Sequence, residues 1–186
     1  MNADVVMAGF GGQGILMIGN LLSLAAMEEG RRVTYFPAYG VEMRGGTANC
    51  TVVVSDEEIG SPVVGHPASL IVMNGPSLDK YQPLARAGAV VVLNASLIDP
   101  ARVTRSDLRP IPVAANELAR ELGSPQLASM VALGAFAAAT AVVKVETLTH
   151  CLPRVVSKRH ERLVPLNAKA LQAGAALARG QPRLAP

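Results

Sequence analysis

Asp4 to Leu22 reads DVVMAGFGGQGILMIGNLL, and the fold follows from it. A short apolar run, Val5, Val6, Met7 and Ala8, stops at Gly9. Four glycines then fall within six residues (Gly9, Gly11, Gly12, Gly14), after which apolar residues recur with helical spacing at Ile15, Ile18, Leu21, Leu22 and Ala25. The pattern is strand, glycine loop, helix. Glycine admits positive φ and has no Cβ to hold a ligand off, so consecutive amides of such a loop can point into one concavity. The following helix adds its unpaired first-turn N–H groups and the positive end of its dipole, and together these make a site for phosphate or another anion. GFGGQG satisfies G-x-G-x-x-G, a spacing that ligand-free tight turns also show.

A dinucleotide site demands an acidic residue about 20 positions on, at the end of the second strand, to hold the ribose hydroxyls. The second strand, Arg32 to Phe36, runs instead into Pro37, Ala38 and Tyr39. Glu28 and Glu29 come too early, in the last turn of a helix that stops at Gly30. The phosphate-cradling half of the fingerprint is present and the half that specifies NAD is missing.

A chain of 186 residues, half of them apolar, fits one α/β domain over 1–180 with 181–186 as a loose tail. With three Phe, three Tyr and no Trp, the core has to come from aliphatic residues, as in parallel sheets covered on both faces. The expected fold is therefore a Rossmann-like three-layer sandwich with a mostly parallel sheet and helices on both faces. Net charge is only +3 and the basic residues are dispersed, without interleaved aromatics, so no nucleic acid is expected as a partner. The chain enters a strand within four residues and shows no basic leader, which makes the cytoplasm the expected location. Cys50 and Cys151 read as two separate thiols, and His66, His150 and His160 lack ligand partners at metal-binding spacing, so no metal site is expected.

Further strands are expected at Thr47 to Ser55, Leu70 to Met73, Gly88 to Leu93 and Ile111 to Ala114. Ser77 is the expected cap of a short helix carrying Leu78, Tyr81 and Leu84, and another helix is expected from Asn116 to Leu122. Ser124-Pro125 opens an apolar helix, Leu127 to Val143, that is shorter than the ~20 residues of a membrane span and is rich in Ala and Gly. Its small side chains suit close packing against a sheet and against a second helix or a subunit. Glu146 to Gly180 reads as two more helices, with Lys158, Arg159 and Arg162 on a solvated face.

Tyr39 to Gly46, YGVEMRGG, is the second informative stretch. It places Glu42, Arg44 and the pair Gly45-Gly46 at the carboxyl end of the second strand, where open α/β sheets bind ligands. Arg44 offers a bidentate fork for phosphate or carboxylate, and Glu42 is placed to orient it. An ordinary surface Glu–Arg pair would show the same residues.

GFGGQG followed by YGVEMRGGTANCTVVVS, then a strand ending in Met73-Asn74 and Ser77-Leu78 with Lys80-Tyr81, resembles the gamma subunit of the 2-oxoacid:ferredoxin oxidoreductases. The likeness spans Val5 to Asn94, and the EMRGGTANC wording is most similar to the 2-oxoglutarate-type enzymes. It implies an enzyme that decarboxylates a 2-oxoacid on thiamine diphosphate with magnesium, passes electrons through iron–sulfur clusters to ferredoxin and releases an acyl-coenzyme A. No thiamine motif is present, and two distant cysteines cannot hold a cluster that wants four ligands. The resemblance thus implies a subunit that is non-catalytic alone, working with alpha, beta and delta-type subunits and helping to receive coenzyme A over the thiamine site. Gly9, Gly11, Gly12, Gln13 and Gly14 would form the phosphate loop, and Tyr39, Glu42, Arg44, Gly45 and Gly46 the second wall. Self-association of the isolated chain is a further expectation. A stand-alone Rossmann oxidoreductase and a nucleotide-binding regulatory module remain as alternatives from other classes.

Overall fold

The computed structural model describes residues 2–39 and 46–180. The readings placed on Glu42, Arg44 and Gly45, and on the tail 181–186, lie outside the described residues. The strands are β1 (Asn2–Phe10), β2 (Arg32–Tyr39), β3 (Thr47–Ser55), β4 (Ser69–Val72), β5 (Val90–Asn94) and β6 (Arg109–Val113). The helices are α1 (Ile15–Glu28), α2 (Gly75–Tyr81), α3 (Ala115–Glu121), α4 (Ala128–Thr140), α5 (Val145–Val155) and α6 (Val164–Gly180).

The six strands form one sheet in the order β2-β3-β1-β4-β5-β6. The pairs β1–β4, β4–β5 and β5–β6 are parallel, whereas β3 runs antiparallel to both β1 and β2. Seven residues, 40–46, separate β2 from β3, too few for the crossover of roughly a dozen that a parallel partner requires, so the chain turns straight back. From β1 the chain passes through α1 to one side of the sheet, and from β4 it passes through α2 to the other. The carboxyl ends of β1 and β4 are therefore the point where open sheets of this kind form a ligand crevice.

Alternation along the strands fills both faces. Val5, Met7, Ile71 and Val92 meet α1, α4, α5 and α6 on the thicker side, while Val6, Leu70, Val72, Val91 and Leu93 meet Leu78 of α2 together with Ile98 and Leu108. The cap of α2 is Asn74 rather than Ser77: the Asn74 Oδ1 accepts from the Ser77 N–H at 2.9 Å, because Pro76 already occupies the first turn. Ser124 makes no side-chain cap; Pro125 to Leu127 form a 3₁₀ turn and α4 begins one residue later.

α4 is buried on all sides from Ala128 to Ala137. Its main neighbour is α6, with α3, the sheet, α1 and α5 around the rest, so the second helix that its small side chains anticipate belongs to this same chain. At the crossing, a Cβ on Gly134 would lie 2.0 Å from the Leu171 carbonyl oxygen, and one on Gly174 would lie 1.9 Å from that of Val131. Each glycine thus abuts the residue one turn before the other glycine, which sets α4 and α6 side by side in the same direction. The amino end of α4 lies beside that of α1, since the Ser129 Oγ faces Gly14, and both helices run away from the carboxyl edge of the sheet. Among the described residues no helix is long and apolar enough to cross a membrane.

Both cysteines are buried free thiols. Cys50 donates to the Ile15 carbonyl at 3.6 Å, and burial pushes its thiol from its ordinary value of 9.0 up to about 12. Burial raises Cys151 as well. Neither is expected to react with a disulfide reagent before denaturant is added. Because the folded Cys50 holds its proton more tightly than the unfolded chain, its contribution is intact below pH 9.0 and lost as pH rises toward 12. The loss is at most about 1.4 kcal/mol per pH unit. Urea midpoints followed into alkali should fall with that slope for the native chain and more gently for Cys50→Ala; equal slopes would mean that the thiol titrates as it does in water.

Candidate functional site

Phe10 to Gly14 carry the chain from the end of β1 into α1. Gly12 and Gly14 take φ of 91° and 78°, the left-handed region where any other residue is strained, and the Gln13 N–H closes the turn on the Phe10 carbonyl at 3.1 Å. Gly14 is the N-cap of α1 and offers no side chain to cap it. The first helical bond runs from the Ile18 N–H to the Gly14 carbonyl at 3.1 Å. The amides of Gly12, Gly14, Ile15 and Leu16 find no acceptor among the described residues. Where a helix begins without a capping side chain, the first-turn donors and the positive dipole end remain available to an anion.

These donors sit on a cavity of about 440 Å³ whose other wall is Gly46, Thr47 and Ala48 at the start of β3. The two glycine stretches that the sequence singles out are thus brought together, and the Gly11 N–H donates to the Gly46 carbonyl at 2.8 Å. That bond removes the Gly11 amide from the set able to face a ligand. Tyr39 ends β2 opposite Ala48, which puts its backbone at the same edge of the sheet.

Gln13 has a different part from the one its place in the motif suggests. Its Oε1 accepts from the Phe10 N–H at 2.7 Å and from the Asn74 Nδ2 at 3.2 Å, while its Nε2 donates to the Met73 carbonyl at 3.4 Å. The side chain bridges the carboxyl ends of β1 and β4 and joins the glycine loop to the cap of α2. Gly9 leaves room for it: a Cβ there would stand 2.6 Å from the Gln13 Oε1. Of the predicted phosphate loop, then, Gly12 and Gly14 with the first turn of α1 present amides without an acceptor among the described residues, and Gly9, Gly11 and Gln13 hold the loop's shape.

Three residues of this region are not among the predicted site residues, although Phe10 stands inside GFGGQG and Asn74 in the Met73-Asn74 strand end. Phe10 lines the cavity and is 37 % exposed, Asn74 anchors Gln13, and Ser129 lies fully buried with its Oγ against Gly14 and without a hydrogen-bond partner. Asn74-Gly75-Pro76 is at least a turn signal; nothing in the sequence around Ser129 points to the loop. Among the described residues none that lines the cavity carries an ionisable side chain, and what they offer an anion is amides and the helix dipole.

Known proteins fit this architecture. Residues 4–177 match the family described as pyruvate ferredoxin/flavodoxin oxidoreductase. The chain is 39% identical over 175 residues to the ketoisovalerate oxidoreductase subunit VorA of Methanothermobacter marburgensis, an alignment that takes 94% of this chain and 36% of that one. It therefore spans about a third of the length of the VorA relatives. It is 31% identical to the 2-oxoglutarate synthase subunit KorC of Methanocaldococcus jannaschii over 87% of both chains. The crystal structure of the keto/oxoacid ferredoxin oxidoreductase gamma subunit from Geobacter sulfurreducens superposes with a TM-score of 0.82 at 27% identity, covering 96% of this chain and 99% of that one. The 2-oxoglutarate:ferredoxin oxidoreductase of Magnetococcus marinus shares the fold, with a TM-score of 0.89 at 24% identity over all of this chain and 32% of that one. With a family match along nearly its whole length and the two glycine stretches joined at one sheet edge, the chain belongs to the pyruvate ferredoxin/flavodoxin oxidoreductase family.

Proposed function

We propose that this chain is the gamma-type subunit of a 2-oxoacid:ferredoxin oxidoreductase, and that its glycine loop helps to receive the phosphates of coenzyme A. The observation that carries the reading is the cavity between the two glycine stretches, lined at the start of α1 by amides without an acceptor among the described residues. Such a surface binds and orients an anion. Coenzyme A carries a pyrophosphate and a 3′-phosphate and makes no demand for the ribose-binding carboxylate that this chain lacks. Arg44, outside the described residues, is the proposed charged partner of those phosphates, with Glu42 orienting it.

The remaining chemistry is assigned to partners of alpha, beta and delta type. Among the described residues no group of three or more His, Cys, Asp and Glu is placed to hold a metal, and both cysteines are buried apart from each other. Thiamine diphosphate with magnesium, where the 2-oxoacid is decarboxylated, and the iron–sulfur clusters that lead to ferredoxin are proposed to sit on those other subunits, and the complex is proposed to work in the cytoplasm. The EMRGGTANC wording favours 2-oxoglutarate, whereas relatives at 37–39% identity are named for ketoisovalerate. The Magnetococcus marinus enzyme, which shares the fold, is described with 2-oxoglutarate, coenzyme A and succinyl-CoA bound.

The test is purification from the native source. Larger chains carrying iron and thiamine diphosphate should accompany this one and catalyse coenzyme A-dependent oxidation of a 2-oxoacid, and rates with 2-oxoglutarate and ketoisovalerate rank the two acids. The chain separated from them should be colourless and inactive. Stoichiometric iron in the lone chain, or turnover by it, would overturn the assignment, and NAD(H) binding by the lone chain would revive a stand-alone dehydrogenase.

A further inference from the structure

A second cavity, of about 470 Å³, opens at the carboxyl edge of the sheet, where the amino ends of α1 and α6 meet the carboxyl end of α5. Its floor is apolar, from Leu16, Met17, Leu127, Val156 and Leu163. One wall belongs to the 3₁₀ turn Lys158–Leu163, whose His160 bonds the Ser157 hydroxyl at 3.0 Å. The same turn exposes Lys158, Arg159 and Arg162, none of which pairs with a carboxylate among the described residues. Glu161 is the one carboxylate in that turn, so a net positive patch stands beside the apolar floor. The opposite edge of the sheet carries the complement. β3 ends at Ser55 opposite Asn2, where β1 begins, and the exposed residues Asp56, Glu57 and Glu58 follow directly. Arg31 engages Asp56 at 3.6 Å, while Glu57 and Glu58 meet no cation among the described residues. Five residues further on, Val63 is 71% exposed, the highest value among the large hydrophobic side chains described.

We infer that the acidic loop of one copy of this chain docks on the basic turn and cavity of a second copy, with Glu57 and Glu58 against Lys158, Arg159 and Arg162, and Val63 over the apolar floor. Because the two patches lie at opposite edges of the sheet, two copies set side by side and pointing in opposite directions make the contact twice around a two-fold axis, and the pair closes. Each contact takes an exposed apolar side chain out of water and pairs charges that have no partner within their own chain. Other occupants match half of the surface. A bilayer or a nucleic acid brings anions but no single side chain for a concave apolar floor, and a small anion leaves that floor open to water. The separation of the patches also keeps one copy from satisfying itself. The contact holds whether or not the glycine loop binds phosphate.

Sedimentation of the purified chain over a range of concentrations measures the association, for wild type and for two double variants, Glu57→Lys with Glu58→Lys and Lys158→Glu with Arg159→Glu. Wild type is expected to reach a pair and grow no further. Its dissociation constant should rise roughly ten-fold or more between about 0.1 and 1 M salt, as the Debye length falls from about 10 Å to about 3 Å. Each double reversal sets like charges against each other and abolishes the pair. Mixed in equal amounts, the two double variants should pair again, since one contact is then the native one and the other is its counterpart with the charges exchanged. Recovery in the mixture also shows that both variants are folded. In wild type, a zero-length carbodiimide cross-linker should join Lys158 to Glu57 or Glu58, a link that only two copies can form. A monomer at every concentration, growth beyond a pair, pairing by either double variant alone, no pairing in the mixture, or Lys158 cross-links confined to other carboxylates would each overturn the inference. These results are separate from coenzyme A titrations, so failure of either reading leaves the other standing.

Discussion

Gly174→Ala is expected to lower the stability of this chain by about 3 kcal/mol or more, the upper range for forced overpacking, although alanine is the better helix former. The added methyl would stand 1.9 Å from the Val131 carbonyl oxygen and 3.0 Å from the Ala135 amide nitrogen. Those are backbone atoms in the middle of another helix and have no rotamer through which to yield. Relief requires α6 to lift off α4, which opens the layer that covers β4, β5 and β6. Gly134→Ala meets the Leu171 carbonyl at 2.0 Å and should cost a similar amount. Since either substitution separates the same two helices, the double variant should cost clearly less than the sum. Gly180→Ala is the control, for a Cβ there meets nothing within 4 Å. Urea unfolding of the four chains is the measurement, and a near-neutral Gly174→Ala would show that the helices are not in backbone contact.

Coenzyme A dependence should collapse in Gly12→Val and Arg44→Ala without damage to the core. A Cβ on Gly12 meets no atom of the described residues within 4 Å, so the substituted side chain intrudes on the cavity and not on the core. The left-handed φ of 91° adds local strain of about 1–3 kcal/mol, confined to the loop. Arg44→Ala removes a proposed charge-assisted contact of about 1.5–3 kcal/mol, or roughly ten- to over a hundred-fold in affinity. Arg44→Lys should recover only part of this, since an ammonium keeps the charge without the two-pronged geometry. With decarboxylation on other subunits and ahead of the coenzyme A step, as proposed above, formation of the thiamine-bound intermediate should be nearly unchanged in all three variants. The readout is a coenzyme A titration of 2-oxoacid-driven viologen reduction by the assembled complex. Unchanged half-saturation and maximal rate in all three would return YGVEMRGG to an ordinary loop.

The first βα turn is legible in the sequence because everything that shapes it is local: an apolar run, four glycines and a helical stripe lie within two dozen residues. The positions of β3, β4 and β5 are legible for the same reason. What escapes is set by distance along the chain. Gln13 sits where a phosphate-loop residue is expected, yet its direction is fixed by Asn74, sixty-one positions on. Gly134 and Gly174 look like weak points in helices until the fold sets each against the other's backbone. The reversal of β3 was available from the shortness of the segment before it, because alternation reveals a strand and not its sense. Ser129 had no signal at all; burial under Gly14 comes only from the packing of α4 beside α1.

α6 begins beside the second cavity and runs in the sense of α4, away from the carboxyl edge of the sheet, so Gly180 lies toward the edge at which β1 begins with Asn2. The described residues thus begin at Asn2 and end at Gly180 on the far side from the glycine loop. One domain can then be used in two formats without redesign of its binding edge: as a separate chain, as in KorC, of which it covers 87%, or as a segment of a longer one, as in VorA, of which it covers 36%. Tethering in the second format replaces diffusional assembly by a fixed local concentration, a change made in the linker and not in the pocket.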